Sequence, residues 1–130
     1  MMDLNVLFQS GDWKGEKHVP YIEVGGELKR GELFNVNVMV GKEITHPNTT
    51  EHHIRWISLY FHPEGEKFPY EIGKVDFSSH GESTQGPNTS TIYAYPKVIF
   101  TMKTEKSGKL IAFSYCNIHG LWSNSIDIKL

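Results

Sequence analysis

Apolar and polar residues alternate most clearly between Leu33 and Val40, with Phe34, Val36, Val38 and Val40 on one face and Asn35 and Asn37 on the other. A period of two marks a half-buried strand. Shorter runs of the same kind recur along the chain. Tyr21 to Val24, opened by Pro20 and stopped by Gly25 and Gly26, reads as extended. Residues 53–61, 68–77 (broken at Gly73), 92–95, 97–103, 109–115 and 125–130 read as further strands. Lys106-Ser107-Gly108 is predicted as a hairpin turn. The apolar patch within residues 1–11 predicts a short helix or turn that covers one end of the domain. No stretch of useful length has helical periodicity, and no internal repeat is visible. Many short strands separated by turn residues predict an all-β fold, an immunoglobulin-like antiparallel β-sandwich of about seven strands. A chain of 130 residues fits one domain, spanning 1–130.

The breaks between strands hold most of the chemistry. Residues 12–20 form a charged, glycine-containing loop ending in Glu16-Lys17-His18-Val19-Pro20. Taken alone, it reads as a solvated charged loop. A second loop runs from Lys42 to His53 and carries His46, His52 and His53. Side chains alternate along a strand, so His52 and His53 cannot both face one ion. A third turn, Ser114 to Trp122, holds the only cysteine, Cys116, with His119 three residues on. Backbone amides of Ile118 and His119 are expected to point at the sulfur, and Gly120 to let the chain turn away. A lone Cys-x-x-His is a weak signal, because a single cysteine in a core is usually a small hydrophobe.

Composition narrows the possibilities. Thirteen basic residues face 15 acidic ones and no basic block appears, so nucleic-acid binding is not expected. No apolar run approaches the roughly 20 residues of a membrane span, and no signal peptide is visible at the N-terminus. One cysteine excludes an internal disulfide and any all-cysteine metal site within one chain. The reducing cytoplasm is the expected compartment.

A β-sandwich gathers its loops at its two ends, so three loops could bring His18, His46, His52, Cys116 and His119 together, with Glu16 close by. Four imidazoles and one thiolate fill five positions and leave one open. One sulfur with several nitrogens suits iron, copper or zinc better than magnesium or calcium. Zinc prefers four ligands. An electron-transfer copper needs two histidines, a cysteine and often a methionine soon after, and no methionine follows His119. The donor count points to iron. His53, His62 and His80 read as structural. Trp13, Trp56 and Trp122 read as core or site walls.

The segments Glu16-Lys17-His18-Val19-Pro20, His46-Pro47-Asn48-Thr49-Thr50-Glu51-His52-His53 and Cys116-Asn117-Ile118-His119-Gly120-Leu121-Trp122 resemble the superoxide reductase (neelaredoxin) family. His80-Gly81-Glu82-Ser83 followed by Gly86-Pro87-Asn88 resembles it too. The resemblance covers nearly the whole chain, in order and spacing. It implies one iron per chain, with His18, His46, His52 and His119 as equatorial ligands and Cys116 as the axial one. It assigns Glu16 to the sixth position of ferric iron and Lys17 to the positively charged mouth. Thr45 stands where relatives often have proline, which touches loop stiffness rather than ligation. A chain with one cysteine has no four-cysteine iron segment, so the likeness is to the single-iron form.

The implied reaction is the one-electron reduction of superoxide to hydrogen peroxide without release of dioxygen. A thiolate opposite an open position would push electron density toward what binds there. Lys17 would steer the small anion locally, since the net charge is −2. The family also implies a rubredoxin-like electron donor, a homotetramer and an anaerobic setting. Rival readings are a cupredoxin-like electron carrier, a superoxide dismutase and a structural metal module.

Overall fold

The computed structural model describes residues 4–130, so residues 1–3 of the predicted N-terminal turn lie outside the described residues. A single helical turn, α1 (Leu4–Leu7), is followed by seven strands: β1 (Pro20–Val24), β2 (Phe34–Val40), β3 (Ile54–Pro63), β4 (Tyr70–Asp76), β5 (Lys97–Met102), β6 (Gly108–Cys116) and β7 (Gly120–Ile128). They form two antiparallel sheets, ordered β1-β2-β5 and β4-β3-β6-β7. No described helix is long and apolar enough to cross a membrane.

The alternation seen in the sequence becomes the core. Phe34, Val36, Val38 and Val40 of β2 turn inward and meet Ile57, Leu59 and Phe61 of β3 and Leu110 and Ala112 of β6 in one cluster fed by both sheets. Burying such side chains contributes roughly 1.5–3 kcal/mol each. The same period along β6 carries on to Ser114 and Cys116, both fully buried. Cys116 is therefore the last inward-facing residue of a core strand, at the end of the sandwich where loops gather. Ser114, a buried polar group, is satisfied by donating from Oγ to the carbonyl of His18 at 2.9 Å.

Three local expectations are corrected. Residues 92–95 form no strand: Tyr93 makes one isolated bridge to His80. Thr91 has φ of 64° and Pro96 follows, so the run is broken at both ends before a ladder can form. Lys106 to Gly108 is not a hairpin, because β5 pairs with β2 while β6 pairs with β3 in the other sheet. The connection crosses between sheets, and alternation alone does not choose a strand's partner. The last strand starts at Gly120 rather than Ser125, since β7 pairs with β6 from Cys116↔Gly120 to Gly108↔Ile128. The predicted C-terminal turn thus tightens to Asn117, Ile118 and His119 at a hairpin tip. Gly120 closes it with φ of 80°, the left-handed residue that a three-residue hairpin calls for.

Gly41 ends β2 and starts the loop that carries His46 and His52. Its φ is 88°, and a Cβ there would meet the His46 amide nitrogen at 2.7 Å. Replacement by alanine therefore costs backbone strain and pushes the histidine loop outward. Gly41→Ala is expected to lower stability by about 1–3 kcal/mol, read as a lower urea midpoint with an unchanged m-value. An unaltered midpoint would show that this loop shifts freely.

Candidate metal centre

Three connections at one end of the sandwich supply the site. The segment before β1 brings Glu16, Lys17 and His18. The β2–β3 loop brings His46 and His52. The β6–β7 hairpin brings Cys116 and His119.

Each connection is fixed by hydrogen bonds that the sequence does not advertise. Ser114 holds the backbone of His18 from below. Within the β2–β3 loop, the Thr49 hydroxyl accepts from the His52 amide at 3.0 Å, and the Thr49 amide donates to the His52 carbonyl at 2.9 Å. The hairpin is tied to this loop through Asn117. Its Oδ1 accepts from the His53 amide at 2.9 Å, its own amide donates to the His53 carbonyl at 3.1 Å, and its Nδ2 donates to the Glu51 carbonyl at 2.9 Å. Asn and Thr are suited to such side-chain-to-backbone bonds, but their distant partners are set only by the fold.

The four imidazoles close a ring. Ring centroids are 4.8 Å apart for His18 and His46, 4.7 Å for His46 and His52, 5.0 Å for His52 and His119, and 4.8 Å for His119 and His18. His18 and His52 face each other across it at 6.3 Å. One donor atom from each of His18, His52, Cys116 and His119 lies within 4.8 Å of the others. That spread matches donors on opposite sides of one ion with bonds of about 2.0–2.3 Å. His46 stands outside this set of four, but its ring borders both His18 and His52.

The nitrogens that face inward can be named. His46 donates from Nδ1 to the Pro47 carbonyl at 2.6 Å, which leaves Nε2 as a free acceptor. His46 Nε2 and His52 Nε2 are buried without a hydrogen-bond partner among the described residues. An unmet buried polar group costs about 1–3 kcal/mol, so two of them, on rings that border the same cluster of donors, suit a place for an ion. His18 Nε2 lies 3.1 Å from His119 Nδ1, and Cys116 Sγ lies 3.8 Å from the same nitrogen. The His119 amide reaches the sulfur at 3.4 Å, as expected, whereas the Ile118 amide makes no such bond. The sulfur is fully buried, whereas His119 is exposed, so solvent reaches the site at its His119 edge.

Glu16 does not join the converging atoms. Its Oε1 accepts from the His18 amide at 3.0 Å and sits 2.7 Å from His18 Nδ1, the ring nitrogen that points away from the other donors. This is the carboxylate–histidine pairing that orients a metal-binding imidazole. Burial disfavours the Glu16 carboxylate, but the His18 hydrogen bonds outweigh it and hold its pKa below the usual value. Lys17 is half-buried, and its charge helps to depress His18, His46 and His52. Trp122 forms a wall, stacked on His18 at 4.7 Å and 13°, with its Nε1–H donated to the His119 carbonyl at 3.2 Å. His53 turns the other way from His52, and His62 binds the Glu66 carbonyl far from the ring.

The desulfoferrodoxin family model matches residues 10–125. The chain belongs to the desulfoferrodoxin family. It is 63% identical to the superoxide reductase of Pyrococcus furiosus, over 97% of this chain and 99% of that one. It is 52% identical to the neelaredoxin of Megalodesulfovibrio gigas, over 95% of each. The solved superoxide reductase (neelaredoxin) of Archaeoglobus fulgidus in the reduced form superposes with a TM-score of 0.90 at 60% identity, covering 95% of this chain and 99% of that one. The all-β sandwich of about seven strands expected from the strand pattern is borne out by two antiparallel sheets of three and four strands.

Burial is the first cause that lowers the pKa values of His18, His46 and His52, with His46 reaching about 4. Such imidazoles are neutral and ready for an ion at neutral pH. A folded-state pKa below the unfolded value of about 6.5 means that the unfolded chain binds the proton first as pH falls. The metal-free protein should therefore lose stability between pH 6.5 and about 4 through His46, with no further loss from that group below. Urea midpoints across this range should fall less steeply for His46→Leu than for the parent. Parallel slopes would contradict the assignment.

Proposed function

We propose that the chain is a superoxide reductase that reduces superoxide to hydrogen peroxide at a single iron. The observation that carries this reading is the ring of four imidazoles with a buried cysteine sulfur beside it and two buried Nε2 atoms that have no partner among the described residues. These donors fit one ion. Neutral nitrogens with one sulfur suit iron, copper or zinc. A cupredoxin-like carrier would use two histidines and leave the other two idle, and a zinc site would leave one donor over. Iron, one per chain, uses the full set of His18, His46, His52, His119 and Cys116. Residues 1–130 act as one domain in this reading.

A ferrous ion held by this set would supply the one electron that superoxide takes up, with two protons completing hydrogen peroxide. The chain's own residues do the rest. Cys116 keeps its sulfur dry at the end of β6, backed by the His119 amide. Burial keeps His18, His46 and His52 neutral, so the site carries little negative charge and an anion can approach. Lys17 stands beside the ring and draws that anion in. Glu16 holds the His18 ring through Nδ1. By family likeness, its carboxylate is also the group assigned to the sixth position of ferric iron. The exposed edge of His119, next to the exposed Ile118, gives a protein donor a short approach. A rubredoxin-like iron protein suits that role, and a homotetramer in the reducing cytoplasm completes the proposal by likeness.

Protein purified without oxygen should contain about one iron per chain and form hydrogen peroxide from superoxide without evolving dioxygen. Copper at that stoichiometry would favour the electron carrier, and dioxygen without added reductant would favour a dismutase. A cation at a cleft mouth raises association rates by roughly 10- to 1,000-fold at low salt. Lys17→Glu should therefore slow the second-order step about tenfold or more, with the gap narrowing as salt screens it. Equal rates at low ionic strength would remove Lys17 from steering.

A further inference from the structure

The segments His80-Gly81-Glu82-Ser83 and Gly86-Pro87-Asn88 supply no donor to the ring of four, yet they lie against the loop that brings His46 and His52. They belong to the long polar loop between β4 and β5. The Gly81 carbonyl accepts from the amides of Thr89 at 3.1 Å and Ser90 at 3.2 Å, and the Gly81 amide donates to the Ile92 carbonyl at 2.9 Å. The Gly86 carbonyl accepts from the Thr89 hydroxyl at 2.7 Å. These bonds close residues 81–92 on themselves, and Asn88 stands on the closed turn.

Asn88 has φ of 61°. Asparagine is among the few residues besides glycine that visit this left-handed backbone. Such a conformation persists where the surroundings fix it, and Asn88 sends its contacts into the β2–β3 loop. Its Oδ1 accepts from the Thr50 amide at 2.8 Å, and its own amide donates to the Thr50 hydroxyl oxygen at 3.1 Å. Each residue thus serves the other's backbone. The Thr50 hydroxyl gives its one hydrogen to the His80 carbonyl at 2.6 Å, so toward Asn88 it can only accept. Asn88 Nδ2 reaches both carboxylate oxygens of Glu51, at 3.1 and 2.9 Å.

Glu51 is the residue before His52. Asn88 holds its carboxylate, and Asn117 Nδ2 holds its carbonyl at 2.9 Å. The polar loop and the β6–β7 hairpin therefore grip it from two sides. A single exposed hydrogen bond competes with water and fixes little. Asn88 and Glu51 are both exposed, so no one of these bonds decides where His52 stands. Their combined action on Thr50 and Glu51, from one backbone-fixed asparagine, can.

We propose that Asn88 is a positioning residue that sets the place of the His52 imidazole in the ring of four. It touches no donor of the ring and acts through Thr50 and Glu51. Cys116 is placed by other means, since Asn117 ties the hairpin to the backbone of His53 without Asn88.

The assignment rests on the metal centre proposed above. Asn88→Gly leaves the left-handed backbone open and removes only the side chain, which separates positioning from backbone strain. In the cobalt(II) form its ligand-field bands should shift from those of the parent while the sulfur-to-cobalt charge-transfer band stays. Cobalt loss to a chelator should quicken about tenfold, the lower end for residues that support metal ligands. Bands and loss rate equal to the parent's overturn the proposal. Asn88→Asp sets a carboxylate against Glu51 and should also speed cobalt loss. Adding Glu51→Gln restores a donor and an acceptor with their roles exchanged, so the double variant should retain cobalt better than Asn88→Asp alone. Equal loss from both overturns the positioning role, and this pair carries the test should Asn88→Gly fail to fold. A parent chain that takes up no cobalt overturns the metal-centre reading instead. Amide hydrogen exchange of the metal-free protein then decides: it should be faster at His52 in Asn88→Gly than in the parent, and an unchanged rate there counts against Asn88.

Discussion

Among the described residues, two buried imidazole nitrogens, His46 Nε2 and His52 Nε2, have no hydrogen-bond partner. A folded chain rarely keeps such groups, because each unmet one costs on the order of 1–3 kcal/mol. For His46 relaxation is opposed, because its other nitrogen is tied to the Pro47 carbonyl and the ring cannot turn away without losing that bond. The His52 backbone is tied on both sides to Thr49, which fixes where its side chain starts. An ion bound there would remove that penalty.

The sandwich makes this arrangement possible by uniting rigid and loose parts. Cys116 belongs to a core strand and inherits that strand's inward direction. His119 sits on a three-residue hairpin tip three positions later and faces solvent. A single hairpin thus delivers both a dry sulfur and an accessible edge. Asn117, between them, stitches the hairpin to the backbone of Glu51 and His53, which places the second loop relative to the first. Trp122 then presses on His18 from the returning strand while holding the His119 carbonyl.

Two adjacent histidines take opposite work because a chain turning into β3 sends successive side chains to opposite sides. His52 faces the ring of four. His53 faces the polar loop and stacks on His80. The loop between β4 and β5, which resembles a surface excursion, therefore reaches back to the residues that separate His46 from His52. Its hydrogen bonds run through Asn48, Thr50 and Asn88 rather than through any histidine of the ring.

Much of this could be read from the sequence. The alternation from Phe34 to Val40 and from Leu110 to Cys116 fixed the inward faces, because a period of two leaves one choice of side. The bar on His52 and His53 facing one ion followed from the same geometry. Three histidine-bearing loops beside one cysteine, in family order, named the candidates for the site. What alternation does not encode is which strand lies beside which. The turn at residues 106–108 looked like a hairpin and is a crossing between sheets, and residues 92–95 looked like a strand and are not one. Pairing depends on long-range fit that no local window contains. The same holds for Glu16, whose carboxylate lies on the outward nitrogen of His18, and for His80, whose neighbours come from residues 48, 50, 53 and 77. Donor types are local properties and are written in the chain. Which donor meets which acceptor is set only when distant segments pack together, so that part belongs to the tertiary structure.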